Sequence, residues 1–484
     1  MDDLVGRPLV PFFADGVDDT EEIEETSTTS PEKKYAAPKF QQMAPKPEDI
    51  PFPSWISNSP SKTKVATKTP KKKRTNEGKD RKTKNDVSKK STDSKSSGKN
   101  NISEKKQSSP KKDVIEQPLK NLLGKEKLRE LCGQLPKAEL LADVSGCVRP
   151  RTLMDLLKPL LESGDLAQED VRALQMKTRR DFLNSLNILD KATNSLEATL
   201  VVLKEAMEDY AAENVRYVEL SMTLRPKPSY RSFLQSVLKI LSSPPKLSNG
   251  QNLDARLLVN LDRNLEIEEA NSIVSLLIEF VQANVVNSRT LIAGIRFCGI
   301  ARRNSGDWEK YLDTLQRARD FGITVVVNFA EIKKSKSGEH EESRAAEQAR
   351  VLKVEPDRLV HGAFMTESSI CNVQKSSLPV VVPFTCHFKG YRIPYKSNIL
   401  RRLIDDEKSP AIVCCDRRGL FGSLSQEYFK VCVALELGPR DLVRIVLASF
   451  QNVANQALSK KDYHAIETEV ATLVGSAVMA ASSS

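Results

Sequence analysis

From about Leu119 to the C-terminus, short apolar runs rich in β-branched residues alternate with helical stripes, and each run ends in polar residues. This pattern predicts strands over residues 138–144, 215–223, 255–261, 290–298, 324–329, 358–362, 379–385 and 411–415. Several are nearly continuous in apolar residues, as in Val325-Val326-Val327 and Val380-Val381-Val382, which parallel strands covered on both faces require. Amphipathic helices lie between them; over residues 266–282, Ile267, Ala270, Val274, Leu277 and Val281 fall on one stripe. Eight strands with intervening helices predict an α/β fold, a (β/α)8 TIM barrel, with an open doubly wound sheet as the alternative.

The preceding residues follow neither period. An acidic patch over 15–25 and a Pro-rich stretch over 31–60 lead into a Lys/Ser/Thr segment over 61–112, which holds 19 basic and 5 acidic residues and only four apolar ones. Such composition buries too little apolar area to offset chain entropy, so residues 1–115 are predicted to be disordered and 116–484 to form the barrel. The formal net charge of the whole chain is +10, and segment 61–112 carries +14 of it, leaving the rest at −4. The basic character therefore belongs to the segment, whose expected role is loose contact with RNA phosphates. Within it, Lys71, Lys72, Lys73 and Arg74 form a run of the nuclear-localisation type. No run of 18 apolar residues and no apolar stretch after Met1-Asp2-Asp3 occur, so neither a membrane span nor secretion is expected. The eight cysteines form no Cys-x-x-Cys pair and read as reduced thiols of a cytoplasmic protein with possible nuclear entry. A nucleobase-deaminase zinc signature is absent too: His340-Glu341-Glu342 supplies only its first half.

In a barrel, chemistry gathers at the C-terminal ends of the strands. Those ends present Asp143, Ser221, Asp262, Asn328, Glu331, His361, Thr385, His387 and Asp416, a polar ring in which each member also has an ordinary use as a cap or loop residue.

At these residues a family pattern emerges. Leu135-Pro136-Lys137-Ala138-Glu139-Leu140-Leu141-Ala142-Asp143-Val144-Ser145-Gly146 with Arg149-Pro150, Val215-Arg216-Tyr217-Val218-Glu219-Leu220, Pro356-Asp357-Arg358-Leu359-Val360-His361-Gly362 and Leu424-Ser425-Gln426-Glu427-Tyr428 stand in the order found in adenosine deaminases. The chain resembles that family over about 119–460, closest to the adenosine deaminase-like branch whose members act on N6-substituted AMP. The resemblance implies a barrel of the metal-dependent amidohydrolase type, a purine nucleotide ligand, Glu331 and His361 in the catalytic positions, and Ser145 and Gly299 lining the substrate pocket.

It also implies a zinc ion held by the pair in His-x-His, a third His after strand five and an Asp after strand eight. Here those positions are Leu141, Asp143, Asn328 and Asp416, so only one of the four is retained. Leucine has no lone pair to donate, and zinc prefers about four nitrogen or sulfur ligands with oxygen as a lesser partner. The Asp that follows the last ligand in the family is Arg417, the Asn after strand seven is His387, and the Arg after strand two is Ser221. A cation at 417 would repel a metal ion. No cofactor is therefore expected, with zinc as the alternative, and Asp143, Asn328 and Asp416 as an oxygen set suited to Mg²⁺ or Mn²⁺.

A second resemblance lies upstream. Tyr35-Ala36-Ala37-Pro38-Lys39-Phe40, followed by Ile50-Pro51-Phe52-Pro53-Ser54-Trp55, is similar to the paired motif of proline-rich nuclear receptor coactivators and yeast enhancers of decapping. Pro51 and Pro53 pre-set an extended segment at low entropy cost, and Trp55 is a large apolar surface suited to a pocket. Tyr35, Phe40, Pro51, Pro53 and Trp55 are thus candidate partner contacts. The partner implied is the mRNA decapping complex, through its proline-motif-binding activator subunit. The expectation is a catalytically impaired deaminase-like barrel serving as an interaction factor in mRNA decapping; the alternative is an active (N6-methyl-)adenosine or AMP deaminase with a remodelled metal site.

Overall fold

The computed structural model describes residues 117–299, 308–331, 341–406, 408–453 and 458–483. The acidic, Pro-rich and basic segments, with Tyr35, Phe40, Pro51, Pro53, Trp55 and Lys71 to Arg74, lie outside the described residues, as does His340.

Eight parallel strands follow one another in chain order: β1 (Lys137–Asp143), β2 (Val215–Thr223), β3 (Asp254–Asp262), β4 (Ile292–Cys298), β5 (Thr324–Phe329), β6 (Arg358–His361), β7 (Val380–Pro383) and β8 (Ala411–Cys414). The order leaves β1 and β8 at the two edges, and three contacts join them. Ala142 bridges Asp416 in parallel, the Asp143 amide donates to the Asp416 carbonyl at 2.8 Å, and the Cys415 amide donates to Glu139 Oε2 at 2.8 Å. The sheet thus curls into a nearly closed TIM barrel with its helices outside, and the open-sheet alternative is set aside.

Two strands are shorter than their apolar runs predict by two residues or more, and β6 and β8 each by one. Residues Ser288–Leu291 form a helical turn, so β4 starts at Ile292 instead of residue 290. β7 stops at Pro383, which has no N–H to give to a ladder, and the chain enters the wide turn Cys386–Gly390. The stripe helix runs over Ile267–Ala283 and buries Ala270, Val274 and Leu277 as its pattern demands.

The N-terminal end of the barrel is pinned by buried charge. Lys137 Nζ donates to the carbonyls of Cys132, Gly133 and Leu135, satisfying orphan groups at the end of helix Leu119–Gln134. Arg358 forks onto both oxygens of Glu219, donates to the Asn452 carbonyl at 2.8 Å, and shares Glu219 with the Tyr217 hydroxyl at 2.9 Å. These are the residues of two matched sequence motifs, and their use here is to tie β2 to β6 across the interior. No helix among the described residues is long and apolar enough to cross a membrane.

Candidate functional site

At the C-terminal end, six of the predicted site residues, Asp143, Ser221, Asn328, Glu331, His361 and Asp416, are joined in one buried chain of contacts. Arg417 donates to Asp416 and, at 3.2 Å, to Asp143 Oδ2. Arg296, from the middle of β4, lies 3.8 Å from the same Asp143 oxygen, donates to Ser221 Oγ at 3.1 Å and donates through Nε to Asn328 Oδ1 at 2.9 Å. Asn328 Nδ2 donates to Glu331 Oε2 at 2.9 Å, the Tyr391 hydroxyl donates to Glu331 Oε1 at 2.6 Å, and His361 Nε2 stands 3.5 Å from that oxygen. The His387 ring lies 5.8 Å from the His361 ring, with its Nδ1 against the Asn398 amide at 3.3 Å. Strand ends set these positions, and two carry unusual backbone: Asp416 has φ +54° and His361 φ +74°. Such left-handed conformations cost of order 1–3 kcal/mol and persist only where the surroundings over-determine them.

Charge follows from this wiring. Burial alone would raise the Glu331 carboxyl, but His361, the Tyr391 hydroxyl, Arg296 and the Asn328 amide outweigh it and bring it down to about 2. Burial would likewise raise Asp143, yet Arg417 and Arg296 hold it below the usual carboxylate range. Burial depresses His361 despite the Glu331 and Asp416 carboxylates, and depresses His387 further with His361 beside it, so both imidazoles are neutral at neutral pH. Among the described residues, Asp416 Oδ1 and His387 Nε2 are buried without a hydrogen-bond partner.

The residues do not fit a zinc ion. Leu141 is buried with a side chain that cannot ligate, and the Asn328 carbonyl oxygen is already taken by Arg296. The Arg417 guanidinium spans the two carboxylates that remain, Asp143 and Asp416. The same occupancy corrects the expected Mg²⁺ or Mn²⁺ set: all three of its side chains are engaged by arginine. No group of three or more His, Cys, Asp or Glu that could hold a metal is found among the described residues. Gly146 makes the arrangement sterically possible, since a Cβ there would sit 2.3 Å from Arg417 Cγ.

Other predicted residues have different employment. Ser145 Oγ donates to Asp143 Oδ1 at 2.6 Å, within the site. Gly299, at φ +94°, gives way to the Asp262 carboxylate, which a Cβ would approach to 2.5 Å. Asp262 itself accepts from the Asn264 backbone and side chain, fixing the turn after β3. Thr385 is captured by Glu427 of helix Leu424–Ala434 through both its amide and its hydroxyl. Sequence reasoning missed Arg296 and Tyr391. The signal for Arg296 was present: it is the one charged residue in the run Ile-Ala-Gly-Ile-Arg-Phe-Cys of β4.

No family model matches the chain. It is 27% identical over 308 residues to the N6-methyl-AMP deaminase of Danio rerio, covering 61% of this chain and 83% of that one. The apo structure of the N6-methyl-AMP deaminase from Arabidopsis thaliana superposes with a TM-score of 0.60 at 23% identity, covering 71% of this chain and 98% of that one. An amidohydrolase from Burkhoderia ambifaria, solved with bound zinc, superposes with a TM-score of 0.58 at 16% identity, covering 74% and 96%. With the matched motifs in order, the barrel nearly closed and the strand-end residues gathered, the chain is similar in sequence and fold to the adenosine deaminase-like proteins and N6-methyl-AMP deaminases.

Proposed function

We propose that this chain is a catalytically impaired adenosine deaminase-like protein that acts as an interaction factor, joined to mRNA decapping through residues 35–56. The observation that carries the impairment is the Arg417 guanidinium between Asp143 and Asp416, where the family's chemistry calls for a metal ion. A fixed organic cation balances those carboxylates but cannot activate a water as a Lewis acid does. The site retains the means to hold a purine: His387 Nδ1 faces the Asn398 amide N–H and accepts, so its buried Nε2–H is left to donate to a ring nitrogen, and Asp416 Oδ1 is left to accept from a ligand N–H.

The relatives' names favour the second reading, an active deaminase for N6-methyl-AMP. The observation on its side is that Glu331 and His361 still face each other at 3.5 Å, with Glu331 held ionised and His361 neutral, a pair able to pass a proton. The two readings part in an assay of the purified full chain with N6-methyl-AMP and adenosine. The expected result is no product above that of the His361→Ala variant. Turnover by the wild type that Glu331→Gln and His361→Ala abolish would establish the second reading.

The interaction half of the proposal rests on the proline and aromatic residues of 35–56. A short segment must draw most of its affinity from a few buried aromatics, and Trp55 offers the largest apolar area. Trp55→Ala in the full chain is expected to weaken binding to the decapping activator's proline-motif-binding domain about 30-fold or more, as read by calorimetry. Undiminished binding would remove the decapping assignment.

A further inference from the structure

The turn that delivers His387 to the buried site also displays an exposed aromatic, Phe388. Phe384 is fully buried and stacks on Tyr395, with ring centroids 4.8 Å apart at 14°. Tyr395 in turn stacks on Phe388 at 4.1 Å and 19°, and Phe388 is 36% exposed. The result is a three-ring column rooted in the core whose last ring is stacked on Tyr395 and partly exposed. A flat aromatic partner would extend such a column at little entropic cost, because the rings are already ordered.

The stretch of chain that carries it is basic, and the carboxylate that reaches it, Glu427, is paired with Lys430. Between Glu367 and Asp405 there is no acidic residue, while Lys375, Lys389, Arg392, Lys396, Arg401 and Arg402 are basic. Arg401 and Arg402 pair with the flanking Asp405 and Glu367. Lys389, Arg392 and Lys396, on the loop that carries the column, make no ion pair among the described residues; Arg392 donates to the Met176 carbonyl at 2.7 Å, which anchors the loop. Burial, then Lys430 and Arg392, depress the Lys389 ammonium, with Glu427 opposing them, so Lys389 sits among neighbouring cations. A preformed aromatic face among unpaired cations matches a ligand with flat bases and regular negative charge.

We propose that the loop over residues 386–397 is a binding platform for single-stranded nucleic acid, in which Phe388 stacks a base while Lys389, Arg392 and Lys396 meet the backbone phosphates. This platform is separate from the purine site behind it and from the basic segment 61–112. That segment contains no Phe, Tyr or Trp, so it supplies charge but no stacking surface.

The difference makes the test selective in the full chain. A 12-nucleotide single-stranded RNA carrying 2-aminopurine should lose fluorescence on binding, because the base analogue is quenched when stacked. Phe388→Ala and Phe388→Leu are expected to remove the quenching and to weaken binding about tenfold, the leucine variant keeping apolar bulk without a π-face. Trp55→Ala should leave the quenching intact. Lys396→Glu, at an exposed position, should reduce the slope of log K against log salt by about 0.7, the value for one lost phosphate contact on a single strand. Binding without quenching, quenching that survives both Phe388 variants, quenching lost in Trp55→Ala, or an unchanged salt slope in Lys396→Glu would each overturn the proposal.

Discussion

Arg417→Met is expected to destabilise the barrel by about 3–5 kcal/mol at neutral pH, because it leaves the carboxylates of Asp143 and Asp416 buried without their shared cation. Urea denaturation at several pH values measures it. Asp143 is held below its ordinary range in the fold, so its pairing contributes stability that is present above the unfolded value, about 4, and is lost as pH falls through the folded value. The gap between wild type and variant should therefore be largest near neutrality and shrink on acidification, as the orphaned Asp143, which burial then raises, takes up a proton. Adding Asp143→Asn to Arg417→Met should recover part of the loss, since the two changes remove one interaction. A loss under about 1 kcal/mol at neutral pH, or one independent of pH, would mean that Arg417 is not the cation these carboxylates depend on.

The second large effect is at the opposite end of the barrel. Arg358→Met should cost about 3–5 kcal/mol, because Glu219 is fully buried and both of its oxygens accept from that guanidinium. The double variant Arg358→Met/Glu219→Leu should regain most of it, as an apolar pair of similar volume often replaces a buried ion pair without loss. Thermal unfolding of the three variants reads the result. If the single variant unfolds with the wild type, the bridge between β2 and β6 is ornamental to stability.

The contrast between these two ion pairs bears on what a sequence exposes. All eight strands could be read because β-branched apolar runs such as Val325–Val327 have no other economical use than a covered parallel strand. Boundaries failed where local chemistry outweighed the run: the Ser288–Leu291 turn shortens β4, and Pro383 ends β7. Asp143, Asn328, Glu331, His361 and Asp416 could be placed because each closes a strand and matches a family position. Arg417 could be read as a cation beside the site for the same reason. Arg296 escaped because it sits in mid-strand, and its approach to Asp143 and Asn328 exists only once the sheet closes and brings β1, β4 and β5 around one interior. Tyr391 escaped because the loop after β7 follows no period from which its hydroxyl's path to Glu331 could be drawn. Thr385 shows the converse: a strand-end hydroxyl that looks catalytic is held by Glu427, a residue 42 positions away.

The central claim is that arginine has taken the place of the metal. Its most direct test is the metal content of the purified full chain, produced in zinc-replete medium and measured by elemental mass spectrometry. The account predicts no stoichiometric zinc or other divalent ion. About one zinc per chain, lost in the Asp416→Ala variant, would contradict it.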